Sequence, residues 1–132
     1  MRLTLLILGW WLGSVASLQA QLVPAQALKA EGDFLNVYNR SLFSDSLVSS
    51  FYIEVKHQVP AHFHREHSEH VLVLSGSGVM QLGDSVFVIG KGDLIFIPKR
   101  SPHSVRTTSE EPLRVISIQA PYFDGSDRVP MN

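Results

Sequence analysis

The stretch His62-Phe63-His64-Arg65-Glu66-His67-Ser68-Glu69-His70 runs straight into Val71-Leu72-Val73-Leu74-Ser75-Gly76. On an extended strand side chains alternate between faces, so His62 and His64 put two imidazoles on one side. Arg65 to Ser68 are polar and suit a turn. Glu69 then opens the next strand, sharing a face with Val71 and Val73, and a neighbouring strand can lay its carboxylate beside the two rings. By the same alternation His70 is predicted to point away from Glu69, outside the ligand set. His67 falls in the turn, where solvent surrounds it.

A further ligand has to come from elsewhere in the chain. His103 is the best candidate: it follows Pro98 and Ser101-Pro102, turn residues that lead into a new strand with Val105 on the same side. His62, His64, Glu69 and His103 together make a mixed nitrogen and oxygen donor set. Such a set leaves coordination positions open and suits Fe, Mn, Ni, Co or Zn as the divalent ion rather than Ca or Mg. A second reading makes residues 62–70 a surface histidine tract that buffers metal.

Around this stretch the pattern is short apolar runs broken by turns. The expected strands are 34–38, 50–57, 61–64, 70–75, 78–82, 85–89, 94–97, 103–107 and 113–119. Gly83-Asp84 between Val79–Leu82 and Val86–Ile89 is a two-residue hairpin signal. Many short strands with turn residues between them predict an all-β sandwich or barrel, and no mature segment carries a long helical period. Val71–Leu74, Val86–Ile89 and Leu94–Ile97 are apolar at every position, which implies cover on both faces. A homodimer is one way to cover the outer face of a small barrel.

Composition narrows the function classes. The 132 residues suit one domain. Net charge is −1, with no basic run, so nothing points to nucleic acid. With no Cys there is no disulfide, thiolate metal site, Cys nucleophile or Cys-linked lipid anchor. The sequence also lacks a nucleophile elbow, a phosphate loop and a dinucleotide fingerprint.

The first twenty residues read as a signal peptide: Arg2, an apolar run from Leu3 to Leu12, then small residues to Ala20. The apolar run is shorter than the ~20 residues a spanning helix needs, so no membrane span is expected after cleavage. Loss of Arg2 leaves a mature net charge of about −2. Residues 1–20 are thus expected to be removed, 21–33 to form an arm, 34–124 a barrel domain and 125–132 a tail. The expected destination is periplasmic or extracellular.

The residue pattern resembles the cupin superfamily. Its first motif is G(X)5HXH(X)3–4E(X)6G, and His62, His64, Glu69 and Gly76 match it, with Lys56 at the leading glycine. Its second is G(X)5PXG(X)2H(X)3N, which Gly92, Pro98 and His103 fit, with Arg100 at the inner glycine and Thr107 at the asparagine. The resemblance spans about residues 50 to 124. Arg100 at a turn glycine implies a turn that does not need positive φ. Asp124 and Asp127 read as turn residues of the tail.

The resemblance implies a small double-stranded β-helix, or jelly roll, with one divalent metal ion on His62, His64, Glu69 and His103. It implies a small oxygenated molecule as ligand or substrate, with dioxygenase, isomerase and decarboxylase chemistry all open. The alternative is a non-catalytic metal- or ligand-binding protein of the cell envelope.

Overall fold

The computed structural model describes residues 21–131. The signal-peptide reading of residues 1–20 therefore lies outside the described residues. After a single 3-10 turn at Ala25–Ala27 come ten strands. They are β1 Val37–Ser44, β2 Ser49–Val55, β3 Gln58–Phe63, β4 Ser68–Ser75 and β5 Ser77–Leu82. The others are β6 Ser85–Gly90, β7 Leu94–Ile97, β8 His103–Thr107, β9 Leu113–Ala120 and β10 Val129–Pro130.

They form two antiparallel five-stranded sheets, ordered β1-β2-β9-β4-β7 and β10-β3-β8-β5-β6. The all-β double-stranded β-helix predicted from the sequence is the observed architecture. Among the described residues no helix is long and apolar enough to cross a membrane.

The core lies between the sheets. Val55, Val73, Ile95, Ile97, Leu113 and Val115 face inward from the first sheet, and Met80 and Ile89 from the second. Alternation explains the choice: on β9, Leu113, Val115, Ser117 and Gln119 are all buried while the residues between them are not. The runs that are apolar throughout alternate as well, but place apolar residues on the outer face. Leu94 and Phe96 on β7, and Val86 and Val88 on β6, turn outward and are exposed in the single chain.

Strands β7 and β8 begin and end where the sequence predicts. The largest shift is β1, which runs to Ser44 rather than ending at Tyr38. It is an edge strand whose polar residues Asn39, Arg40 and Ser41 are held by pairing with β2, not by an apolar pattern. β3 starts earlier than predicted and carries an irregularity between Val59 and His62, which accommodates Pro60 inside a strand. β10, in the predicted tail, pairs with β3 at Val129↔Phe63 and Pro130↔His62.

Two turn positions decide how the ligand-bearing strands are joined. Gly76 has φ 76°, and a Cβ there would sit 2.8 Å from the Pro112 carbonyl oxygen, so both conformation and space demand glycine. Arg100 corrects the sequence reading: its φ is 64°, the left-handed region that the glycine of the motif would occupy without cost. Its backbone N–H donates to the His64 carbonyl at 2.6 Å, which fixes the turn against the neighbouring ligand strand. Its side chain is exposed and reaches Glu66 at 3.6 Å, away from the cavity.

Candidate metal centre

His62 and His103 are direct register partners on β3 and β8. Glu69 pairs with Gln119 on β4 and β9 in the facing sheet. Register alone thus sets two imidazoles opposite a carboxylate, and His64, just past the end of β3, completes the group. The ring centroids lie 4.2 Å apart for His62 and His103, 5.2 Å for His62 and His64, and 5.4 Å for His64 and His103. One ring nitrogen from each of these three falls within 4.8 Å of the others. All three side chains and Glu69 are buried.

The orientation of each ring is fixed from behind. His62 Nδ1 lies 2.9 Å from the Pro60 carbonyl, His103 Nδ1 3.0 Å from the Ser101 carbonyl, and His64 Nδ1 2.6 Å from the Asp127 carbonyl. A carbonyl only accepts, so each Nδ1 carries the proton and each Nε2 turns a lone pair into the site. Glu69 Oε2 stands 3.5 Å from His64 Nε2 and 3.6 Å from His103 Nε2, long for hydrogen bonds. His64 Nε2 is buried with no hydrogen-bond partner. Convergent lone pairs beside an acceptor-only carboxylate are a donor set that fits a cation, and the partnerless His64 Nε2 is a donor such an ion would engage.

The electrostatics agree at His62 and Glu69, whereas at His64 the neighbouring Glu69 favours a proton that a metal ion would displace. Burial pushes the His62 imidazole down to about 4, helped by the neighbouring His103, so it is neutral and ready to ligate. Burial also opposes ionisation of Glu69, but His103, His64 and the Ser117 hydroxyl outweigh it and hold the carboxyl down at about 2. For His64, burial works against the charged form. Glu69 and the Asp127 carbonyl overcome it and raise the imidazole above its ordinary value. Ser117 Oγ donates to Glu69 Oε1, fixing the carboxylate from the β9 side.

Residues 50–119 match the Cupin domain family. The chain belongs to that family. A curated relative is an uncharacterized protein of Aquifex aeolicus, 35% identical over 82 residues, which cover 62% of this chain and 67% of that protein. Two solved structures share the fold. KdgF from a Halomonas species superposes with TM-score 0.69 at 14% identity, covering 80% of this chain and 97% of that one. A variant of Bacillus subtilis oxalate decarboxylase gives 0.66 at 19% identity, over 73% of this chain and 28% of that one.

In this cupin the four residues singled out from sequence stand together, and the three histidines can hold a metal ion. His70 points outward against Phe96, with ring centroids 4.9 Å apart. His67 departs from the solvated turn residue expected. Its Nδ1 meets Asp127 Oδ2 at 2.6 Å and its Nε2 the Tyr122 carbonyl at 2.9 Å.

Asp127 is the residue that sequence reasoning undervalued. Its carboxylate accepts from the backbone N–H of Arg65 and Glu66 at 2.9 and 2.8 Å, besides His67, while its own carbonyl takes His64 Nδ1–H. Phe123 stacks edge-on against His64 and His67 at 5.2 and 4.9 Å. Ser49 anchors Phe123 in turn by accepting from its N–H at 3.0 Å. The segment after β9 is therefore a brace behind the ligand loop. No local motif announces it, since these contacts cross about sixty residues of sequence.

Proposed function

We propose that this cupin binds one divalent metal ion through His62, His64, His103 and Glu69. The ion's open positions would face a small oxygenated molecule in the barrel. The observation that carries the reading is the convergence of three carbonyl-braced Nε2 atoms on a buried point where one of them has no partner. A bound ion would supply Lewis-acid or redox chemistry. The chain's own residues hold it: three imidazoles fixed in the ligating tautomer, and a carboxylate kept ionised by Ser117 and the rings. Oxalate decarboxylase, which shares the fold, acts by its name on a small carboxylic acid, which supports a small molecule as the ligand here.

Imidazole and carboxylate donors generally favour Cu(II) and Zn(II) over Mn(II) and Fe(II), so availability where the chain folds decides which ion it holds. Titration of chelator-treated protein with Co(II), followed by visible absorption and elemental analysis, tests the site. One ion per chain, lost in His62→Ala, is expected; no uptake by the wild-type protein would overturn the reading.

A second reading, a ligand-binding protein without catalysis, draws on the cavity wall. Apart from the four ligands its titratable lining residue is Arg128, so among the described residues no separate general acid or base lines the cavity. Calorimetry that finds tight binding without turnover favours it. The apolar run before Ala20 supports export to the periplasm or outside the cell, which N-terminal sequencing of the mature protein checks. Exposed Leu72, Leu94 and Phe96 on the outer face of the first sheet support a homodimer, which sedimentation equilibrium checks.

A further inference from the structure

Behind the four ligands lies a cavity of about 380 Å³ between the sheets. Its wall is mostly aliphatic, with Ile53, Val71, Ile97, Val105, Leu113 and Val115 among the lining residues. Water gains little there, whereas each methylene of a ligand moved from water to such a wall is stabilised. The polar groups are few and gathered at the ligand end. Arg128, just before β10, is the lining residue with a permanent positive charge. Its Nη2 lies 3.3 Å from His62 Nδ1. His62 Nδ1 already gives its proton to the Pro60 carbonyl, so it cannot serve as acceptor for the guanidinium. Among the described residues no carboxylate lies within ion-pair distance of Arg128.

Charge counting points the same way. With the imidazoles neutral, a divalent ion and one carboxylate leave the centre with a single positive charge, and Arg128 adds another at its edge. Surplus positive charge at the metal centre and on the solvent-exposed Arg128 at its edge, next to an aliphatic wall, is complementary to an anion with an apolar body.

We propose that the cavity takes an acidic molecule with an apolar body, an alkyl or aryl oxo- or hydroxycarboxylate. Arg128 holds its carboxylate at the mouth, and its hydrocarbon part lies along the Ile53, Val71 and Val115 wall. The inference rests on the metal reading above, because the second oxygen of such a ligand is placed toward the four ligating side chains. Arg128 is then the residue that selects acids over their neutral analogues.

The test uses Co(II)-loaded protein and the series pyruvate, 2-oxobutanoate, 2-oxopentanoate and 2-oxohexanoate, followed by calorimetry and by the visible bands of cobalt. Affinity is expected to rise about fourfold per added methylene. The methyl ester of 2-oxohexanoate should bind at least tenfold more weakly than the acid. Arg128→Gln should weaken the acid at least tenfold, leave the ester unchanged and keep Co(II) affinity within twofold. Arg128→Lys, which keeps the charge, should recover part of the loss.

A flat series, equal affinity for acid and ester, or an Arg128→Gln protein that binds the acid like wild type would overturn the inference and leave the metal site standing. Failure of the wild-type protein to take up Co(II) would remove both.

Discussion

Replacing Asp127 by alanine deletes a carboxylate that accepts three hydrogen bonds, from Arg65 N–H at 2.9 Å, Glu66 N–H at 2.8 Å and His67 Nδ1 at 2.6 Å. The side chain is about one-eighth exposed, 13%, so water can re-solvate part of what is lost. A hydrogen bond to a charged acceptor contributes about 1.5–3 kcal/mol, and the low end applies at a partly wet site. With the backbone donors finding water in part, the expected loss of folding stability is about 2–4 kcal/mol.

The consequence for the metal centre is indirect. The Asp127 carbonyl, which orients His64, sits on the backbone that this side chain pins to the ligand loop. Loss of a group that orients a ligating imidazole typically weakens metal binding by about 10–100-fold. Asp127→Asn keeps one acceptor oxygen and should fall between wild type and alanine. Urea unfolding of the metal-free proteins gives the stability change, and Co(II) titration gives the affinity. If the alanine variant lost stability but bound Co(II) as tightly as wild type, the claim that the C-terminal segment braces His64 would be wrong.

His62→Ala and His64→Ala should each remove most Co(II) affinity, while His70→Ala, on the outer face beside Phe96, should leave it nearly unchanged; equal losses in all three would contradict the strand register. Arg100→Gly relieves a left-handed residue and should stabilise the fold by about 1 kcal/mol, seen as a higher urea midpoint at unchanged slope; a lower midpoint would refute the strain argument. Tyr52 is fully buried and donates to Glu54 Oε1 at 2.6 Å; burial first, then Glu54, raises its phenol above the ordinary value of 10.0. The folded state therefore keeps a proton that the unfolded chain loses. This contribution is intact below pH 10 and destabilises the fold as pH rises beyond it, so Tyr52 should ionise only with unfolding in an ultraviolet titration.

How much the sequence could say depends on the range of the interaction involved. His62 and His64 are two residues apart on a strand, and period two is a local property of extended backbone, so their shared face could be read directly. The same holds for Glu69 with Val71 and Val73, for His70 on the other face, and for strands such as Leu94–Ile97, whose ends carry turn residues. The pairing of His62 with His103 is not local, and there the motif spacing substituted for a physical derivation.

Other features exist only once the sheets have closed. The length of β1 is set by hydrogen bonding to β2 rather than by its own side chains. The left-handed Arg100 is held by the His64 carbonyl, a constraint that no propensity of arginine encodes. Asp127, read as a turn residue, becomes the brace of the ligand loop because β10 returns to pair with β3 and carries it there. Strand faces and turns follow from neighbouring residues, so the chain alone determined the fold class and the candidate ligands. Which groups orient those ligands, and what shape of cavity they face, depended on contacts between distant segments whose closeness only the folded sheets create.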